Sequence, residues 1–424
     1  MSNAAMVDHL SVTSSSEDRD SGAGRTGLLF GATLGNFLGV TSQVAIPLGV
    51  LLVPIAQDLH WSRTSVAVAF TTLSLAQAAM CPIAGWIADR FGTRRTLLTG
   101  FAALGLTLLA VSAAPAWAPM FYALFALAGI VGTLASTMVL AKLVSEWFRE
   151  RRGFWLGLVG GIGNGLGGMI MPGLTGLMAV ELGWRLSFAA IGGAMLLVGL
   201  PILATTLRSP PVAQSGGEKP EALAGARFAE AMRSPLFWAI FAAVPIGGGA
   251  LTGVFANTVT VLTTQGIPVA AATGIVTVFA LVCVGLEPLA GHMLDGAGRP
   301  RRVALFYAGA ICGLLLLAHA HTVIPALVGA ALTGIGLGTE FSVLPYLLAR
   351  YFGLREMGAI AGIAYAGAMV SNAISPLLLN GAYDRFGFYA PGLYAVAGLM
   401  ALALVIVLLL PAFPRAERYS GTSA

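Results

Sequence analysis

Charge is what this chain has least of. Only 10% of its 424 residues are Asp, Glu, Lys or Arg, and it has three cysteines and five histidines. So little charge, against 57% hydrophobic residues and 55 glycines, excludes a water-soluble domain of this length and leaves a polytopic membrane protein. The cysteines, Cys81, Cys283 and Cys312, are far apart and fall in apolar runs, which excludes a disulfide framework and reads as small packing residues. His319 and His321 form the one close histidine pair and have no third ligand nearby, so no metal site is expected. No nucleophile with a base, metal triad or nucleotide loop appears, and neither an enzyme nor a cofactor is expected.

Long apolar runs are what the chain does have. A helix needs about 20 residues to cross a hydrocarbon core of roughly 30 Å. The polar breaks predict twelve such helices, near 27–56, 63–88, 95–115, 118–145, 151–179, 185–207, 235–264, 269–293, 301–319, 322–349, 355–382 and 388–411. Residues 1–26 are too polar to fold alone and read as a disordered tail, with a second tail at 412–424. The first apolar run is too long for a signal peptide and is expected to stay.

Arginine and lysine set the expected orientation. With both termini cytoplasmic, the inner side holds 20 of the 23 basic residues, and only Arg63, Arg185 and Arg385 face out. Topology therefore explains the net charge of +5, and no nucleic-acid partner is needed.

The stretch 208–234, with Ser209-Pro210-Pro211, Gly216-Gly217 and Pro220, reads as an exposed linker. It divides the chain into 27–207 and 235–411, with six spans each. The halves echo one another: Pro82, Gly85 and Asp89 in the first answer Pro288, Gly291 and Asp295 in the second. A shorter echo within the second half, Gly381-Ala-Tyr-Asp384-Arg385-Phe-Gly387, is what an inverted pair of three-helix units would leave. The expected fold is therefore all-α, twelve transmembrane helices in two six-helix bundles that rock about a central cavity. Helix 5 is crowded with Gly157, Gly160, Gly161, Gly163, Gly165, Gly167 and Gly168. These allow close packing, with or without sliding.

Between the second and third spans lies Gly85-Trp-Ile-Ala-Asp89-Arg90-Phe-Gly92-Thr-Arg94-Arg95, and Gly291-His-Met-Leu-Asp295-Gly-Ala-Gly298-Arg299 repeats its pattern. The first stretch resembles the loop signature Gly-x-x-x-Asp-Arg-x-Gly-x-Arg of the major facilitator superfamily. That resemblance implies a secondary transporter working by alternating access. It also implies that Gly85, Asp89, Arg90, Gly92 and Arg94 form an inner latch, Asp89 reaching toward basic residues and the start of helix 11, with Arg152 and the region of Arg355 as its neighbours. Asp295 would be the counterpart in the second half.

Four phrases are similar to the branch of monocarboxylate transporters and oxalate/formate antiporters: Leu59-His-Trp61-Ser62-Arg63-Thr64, Glu146-Trp147-Phe148-Arg149-Glu150-Arg151-Arg152-Gly153, Gly183-Trp184-Arg185 and Arg350-Tyr351-Phe352-Gly353-Leu354-Arg355. The chain departs from that branch on helix 8. Where mammalian monocarboxylate transporters carry a substrate-attracting arginine before a proline, this sequence has Glu287-Pro288. Where their helix 1 has a lysine after Phe-Pro, it has Ile46-Pro47-Leu48.

Two acids fall inside predicted spans, where an ionisable residue costs about 2.5–3.5 kcal/mol on insertion scales. Glu340 lies ten residues before Arg350, which places it about 15 Å from the inner surface and near the midplane, while Glu287 is expected closer to that surface. Either could carry a coupling proton. The alternatives are a hydrogen-bonded structural acid for Glu340 and an arginine partner for Glu287. Asn36 and Gln43, seven apart and so on one helical face, with Asn257, Tyr346, Tyr365 and Asn372, are candidate substrate contacts or interhelical glue. Lys142, the deepest cation, is expected to snorkel to the headgroups.

The expected protein is a monomeric, multi-pass transporter of the bacterial inner membrane that moves a small organic acid together with protons. Two rivals stay open: proton-driven export of a neutral or cationic compound, and a transporter-like sensor that binds without moving its ligand.

Overall fold

The computed structural model describes residues 24–148, 150–209, 225–295 and 300–413, apart from the side chains of residues 63, 64, 340, 341 and 377. Twelve helices are long and apolar enough to cross a membrane: α1 Gly24–Asp58, α2 Ser65–Phe91, α3 Thr93–Ser112, α4 Ala118–Trp147, α5 Arg152–Glu181, α6 Gly183–Thr206, α7 Pro235–Thr264, α8 Val269–Asp295, α9 Pro300–Ala318, α10 Val323–Phe352, α11 Met357–Phe386 and α12 Ala390–Leu409. They form two six-helix bundles, and no strand occurs among the described residues. Each predicted span corresponds to one helix, with ends displaced by a few residues. The expected tail at 1–26 lies outside the described residues up to 23, and α1 already begins at Gly24. The second tail lies outside them from 414 onward.

Local chemistry explains the ends. Ser62 caps α2 by accepting the Ser65 N–H at 3.0 Å, and Gly92 ends it at φ 89°, a conformation that costs glycine nothing. Arg94 then donates to the Leu207 and Ala204 carbonyls, 2.6 and 2.8 Å, which closes the last turn of α6.

The linker is only in part the exposed segment expected. Residues 210–224 lie outside the described residues, but Phe228–Arg233 forms a short helix with Ala231 fully buried. The Ala226 N–H donates to the Phe352 carbonyl and the Phe228 N–H to Glu356. Those backbone groups find partners on the α10–α11 turn, so this end of the linker docks on the second bundle.

Two helices are interrupted partway. α1 breaks at Leu38–Gly39 and runs on through a π-helical turn, Thr41–Ala45. α4 is two helices, Ala118–Leu134 and Thr137–Trp147, parted at Ala135–Ser136. The breaks adjoin: a Cβ on Gly39 would lie 3.9 Å from the Ala135 carbonyl oxygen. Further π-helical turns sit in α6, Met195–Gly199, and in α7, the first helix of the other bundle, Ala242–Ile246.

Candidate functional site: two seams closed by aspartates

The bundles meet along two seams, α2 against α11 and α5 against α8. In the first, Gly85 and Gly358 approach backbone to backbone, so a Cβ on either would run into the carbonyl of the other. Gly362 lies likewise against the backbone of Cys81 and Pro82. In the second seam, Gly153 and Gly291 collide in the same way, and Gly157 lies against the backbone of Glu287 and Pro288. Absent side chains are what permit these approaches.

An aspartate closes each seam at the same end of the molecule. Asp89, at the end of α2, accepts hydrogen bonds from the N–H groups of Gly358 and Ala359 at 3.0 and 2.8 Å. Asp295, at the end of α8, accepts from Gly153 and Phe154 at 2.8 and 3.0 Å. These N–H groups lie in the first turns of α11 and α5, where they have no partner within the helix and the dipole favours negative charge. Neither residue that precedes these helices, Glu356 or Arg151, caps them with its own side chain. Each helix is therefore capped by the opposite bundle. A hydrogen bond to a charged group contributes about 1.5–3 kcal/mol, so these contacts weigh in the balance between closed and open seams.

The cation at Asp89 is Lys142, which corrects two expectations. Lys142 does not reach outward to headgroups: its side chain is 4% exposed and pairs with Asp89, with Glu146 Oε1 at 3.5 Å. Thr93 donates to the other Glu146 oxygen at 2.9 Å. A lysine held between two buried carboxylates gains more than one that strands them. Of the neighbours expected at Asp89, the region that follows Arg355 is there, through Gly358 and Ala359, and Arg152 is elsewhere. Arg152 belongs to the α5 end, where Nε donates to the Phe148 carbonyl, and Arg355 is exposed. Arg90 lies over the Trp86 ring at 5.2 Å, and Arg94 caps α6 as described.

The acids inside the spans keep the expected order in depth, Glu287 nearer the aspartate end, but differ little. Glu287 is 2% exposed and forms no ion pair among the described residues, so the arginine partner held as the alternative is not there. Its Oε2 has no hydrogen-bond partner. Glu340 lies in α10, with its side chain outside the described residues. Gly334 packs on the Phe279 carbonyl and Gly338 on that of Cys283, which brings Ser342 level with Glu287. Glu340 is thus only about 3 Å along the axis from Glu287, and the two acids share nearly one depth.

Of the expected substrate contacts, Asn36 is 2% exposed and donates to Val159 on α5 at 3.3 Å and to Ala32. Gln43 donates to the Phe37 carbonyl at 2.9 Å, which the break in α1 leaves free. Because the break and π-helical turn lie between them, Asn36 and Gln43 do not keep the regular seven-residue spacing on one face. Asn257 pairs with Asn380, the Tyr346 hydroxyl donates to the Leu294 carbonyl, Tyr365 is buried, and Asn372 Oδ1 is a buried acceptor without a partner. Sequence reasoning missed Ser136, Thr137 and Asn164, half-buried beside the break in α4, with Asn164 reaching the Thr137 hydroxyl at 3.4 Å. The Ser136-Thr137 pair inside an otherwise apolar run was the available signal.

A groove of about 650 Å³ between α2, α7, α11 and α12 is lined by Ala78, Trp238, Phe241, Val370 and Ile374, and by Ser371 and Ser375, whose hydroxyls are bonded to α7 carbonyls. It contains none of the expected site residues.

The family-branch phrases turn out to be pins. Trp61 packs edge-on to Phe121 at 5.3 Å. At the opposite end from the aspartates, Trp184 donates to Asp58 at 2.9 Å, while Arg185 lies over the Trp184 ring and caps α3 through the Ala114 carbonyl at 2.6 Å.

Two six-helix bundles that touch along glycine seams define a polytopic membrane transporter. The family model of the Major Facilitator Superfamily matches residues 29–328 and 275–424, and the chain belongs to that superfamily. It is 28% identical over 269 residues to the oxalate:formate antiporter of Oxalobacter formigenes, a match that spans 60% of either protein. It is 25% identical to a probable nitrate/nitrite transporter, NarK2, of Mycobacterium tuberculosis, over 80% of this chain and 84% of that one. Among solved structures it resembles the proton:xylose symporter XylE, with a TM-score of 0.73 and 15% identity, covering 91% of this chain and 96% of that one.

Proposed function

We propose that the protein is a proton-coupled transporter of a small organic acid that works by alternating access across the bacterial inner membrane. The observation that carries the mechanism is the pair of seams closed at one end, each by an aspartate on the first turn of a helix from the other bundle. In this reading Gly85, Asp89, Arg90, Gly92, Arg94, Arg152, Asp295 and Arg355 surround an inner latch, with Lys142 as the cation that holds Asp89. The aspartate end and both termini are cytoplasmic, the protein acts as a monomer, and the structure is the form closed to the cytoplasm. Breaking the aspartate contacts turns the cavity inward.

Similarity to the oxalate:formate antiporter supports an organic acid. The contacts proposed for it are neutral: Asn36, Gln43, Asn257, Tyr346, Tyr365 and Asn372, joined by Ser136, Thr137 and Asn164. Glu340 and Glu287 are the groups proposed to move a proton. Purified protein screened for thermal stabilisation against small mono- and dicarboxylates tests the substrate class, since a ligand that binds only the folded state raises stability. Stabilisation by none of them, together with stabilisation by amines, would reject it.

A second reading, export of a neutral or cationic compound, is favoured by one observation. Glu287 is a buried acid without a cation among the described residues, and Lys142, the buried lysine, is committed to Asp89 and Glu146.

A further inference from the structure

Glu287 lies in the α5–α8 seam itself. Its backbone carbonyl packs on Gly157, and its side chain packs on Gly161, where an added Cβ would come 2.9 Å from Oε2. The closed seam leaves the side chain 2% exposed and Oε2 without a partner.

Among the described residues no facing group compensates a charge there. On α5 the facing residues are glycines, and the nearest charge, Arg152, is five residues from Gly157. On α10, Ser342 is level and its hydroxyl is bonded to the Thr339 carbonyl. Glu340, also acidic, is half a turn away, and Tyr346 is bonded to Leu294. The stretch of α7 from 247 to 264 has no titratable residue, and α8 itself offers Cys283 one turn away and His292 and Asp295 beyond Gly291. An ionised carboxylate in such surroundings would be buried and unpaired, which proteins avoid by neutralising the group.

We propose that Glu287 is a proton-binding site enclosed by the α5–α8 seam: the seam closes only over a protonated Glu287, and opening it lets water take the proton. This rests on the proton-coupled reading above and adds to it that the proton is held between the bundles, apart from the substrate contacts. The equivalent position in the other seam is Cys81, whose backbone packs on Gly362, so only one of the two seams holds a carboxylic acid there. The closed form binds one proton more than the open form. Raising the pH therefore favours the open seam and lowering it the closed one, by up to about tenfold in their ratio per pH unit for a single proton.

The test is a distance across the seam. Spin labels go on cysteines placed at the exposed positions Glu150 and His292, in protein with Cys81, Cys283 and Cys312 replaced by alanine and reconstituted in lipid nanodiscs. Between two buffers about two pH units apart, the wild-type seam should gain a long-distance population at the higher pH, changing the ratio by up to about a hundredfold. Glu287→Gln, neutral at every pH, should stay at the short distance in both. Glu287→Met serves if the glutamine variant does not fold. A neutral variant whose seam still follows pH as wild type does overturns the proposal; if wild-type uptake is nonetheless driven by a proton gradient, the proton-coupled reading survives. A wild-type seam indifferent to pH overturns the proposal as well, and when joined by absence of proton-driven uptake it removes the coupled reading too.

Discussion

Asp89 and Asp295 hold the same place in the two seams: each caps the second and third residues of a helix from the opposite bundle, Gly358 and Ala359 for one, Gly153 and Phe154 for the other. Their surroundings differ, because Asp89 also binds Lys142 and so belongs to a buried charge network with Glu146 and Thr93.

Asp89→Asn tests the latch. The amide keeps one acceptor but turns a donor toward N–H groups, so one charge-assisted bond is lost and the other weakened, about 2–3 kcal/mol in all. The expected outcome is normal insertion, slower transport and a roughly 30- to 160-fold shift of the closed-to-open ratio toward opening at the aspartate end. Accessibility of introduced cysteines reads that shift. Wild-type uptake with unchanged accessibility would leave Asp89 a structural cap.

Lys142→Met should be more damaging than the exposed Arg355→Met. Removing Lys142 leaves Asp89 and Glu146 buried without their cation, a type of loss that costs about 3–5 kcal/mol. Adding Glu146→Gln should recover part of the lost thermal stability by removing one stranded charge. Equal melting temperatures for Lys142→Met and Arg355→Met would place Lys142 at the surface.

Gly85→Val should prevent closure of the α2–α11 seam, since even a Cβ at Gly85 meets the Gly358 carbonyl. The protein is expected to fold but to remain open at the aspartate end. The same change at Gly176, where a Cβ meets nothing, should be tolerated. Uptake and accessibility measured on both variants check the contrast; similar losses in the two would dismiss the seam as the cause.

Orientation is tested by thiol labelling. Cysteines placed within 208–233 should react with an impermeant reagent only from the cytoplasmic side, and one beside Trp117, 61% exposed, only from outside. Labelling of the linker from outside would invert the assignment of the aspartate end.

Glu340→Gln is expected to lower accumulation driven by a proton gradient at least tenfold, with downhill exchange less affected because exchange needs no net proton movement. Undiminished accumulation under a proton gradient alone would make Glu340 structural and leave Glu287 as the proton carrier.

The amino-acid sequence by itself determined the architecture. Crossing hydrocarbon demands long apolar helices, so twelve spans and their division into two sets of six follow from the spacing of polar breaks. The repeated glycine and aspartate motifs likewise marked the residues that close the seams. What it could not settle was the partner of each polar side chain, because that depends on which helix face meets which neighbour. Lys142 reads as a snorkelling cation until α2 brings Asp89 beside it. Glu287 reads equally as a proton carrier or as half of an ion pair until α5 sets a glycine against it. Asn36 and Gln43 share a face only if α1 is regular, and the break at Gly39, beside that of α4, removes this regularity. The apolar periodicity records that a helix is buried, and tertiary packing alone decides what each buried polar group finds there.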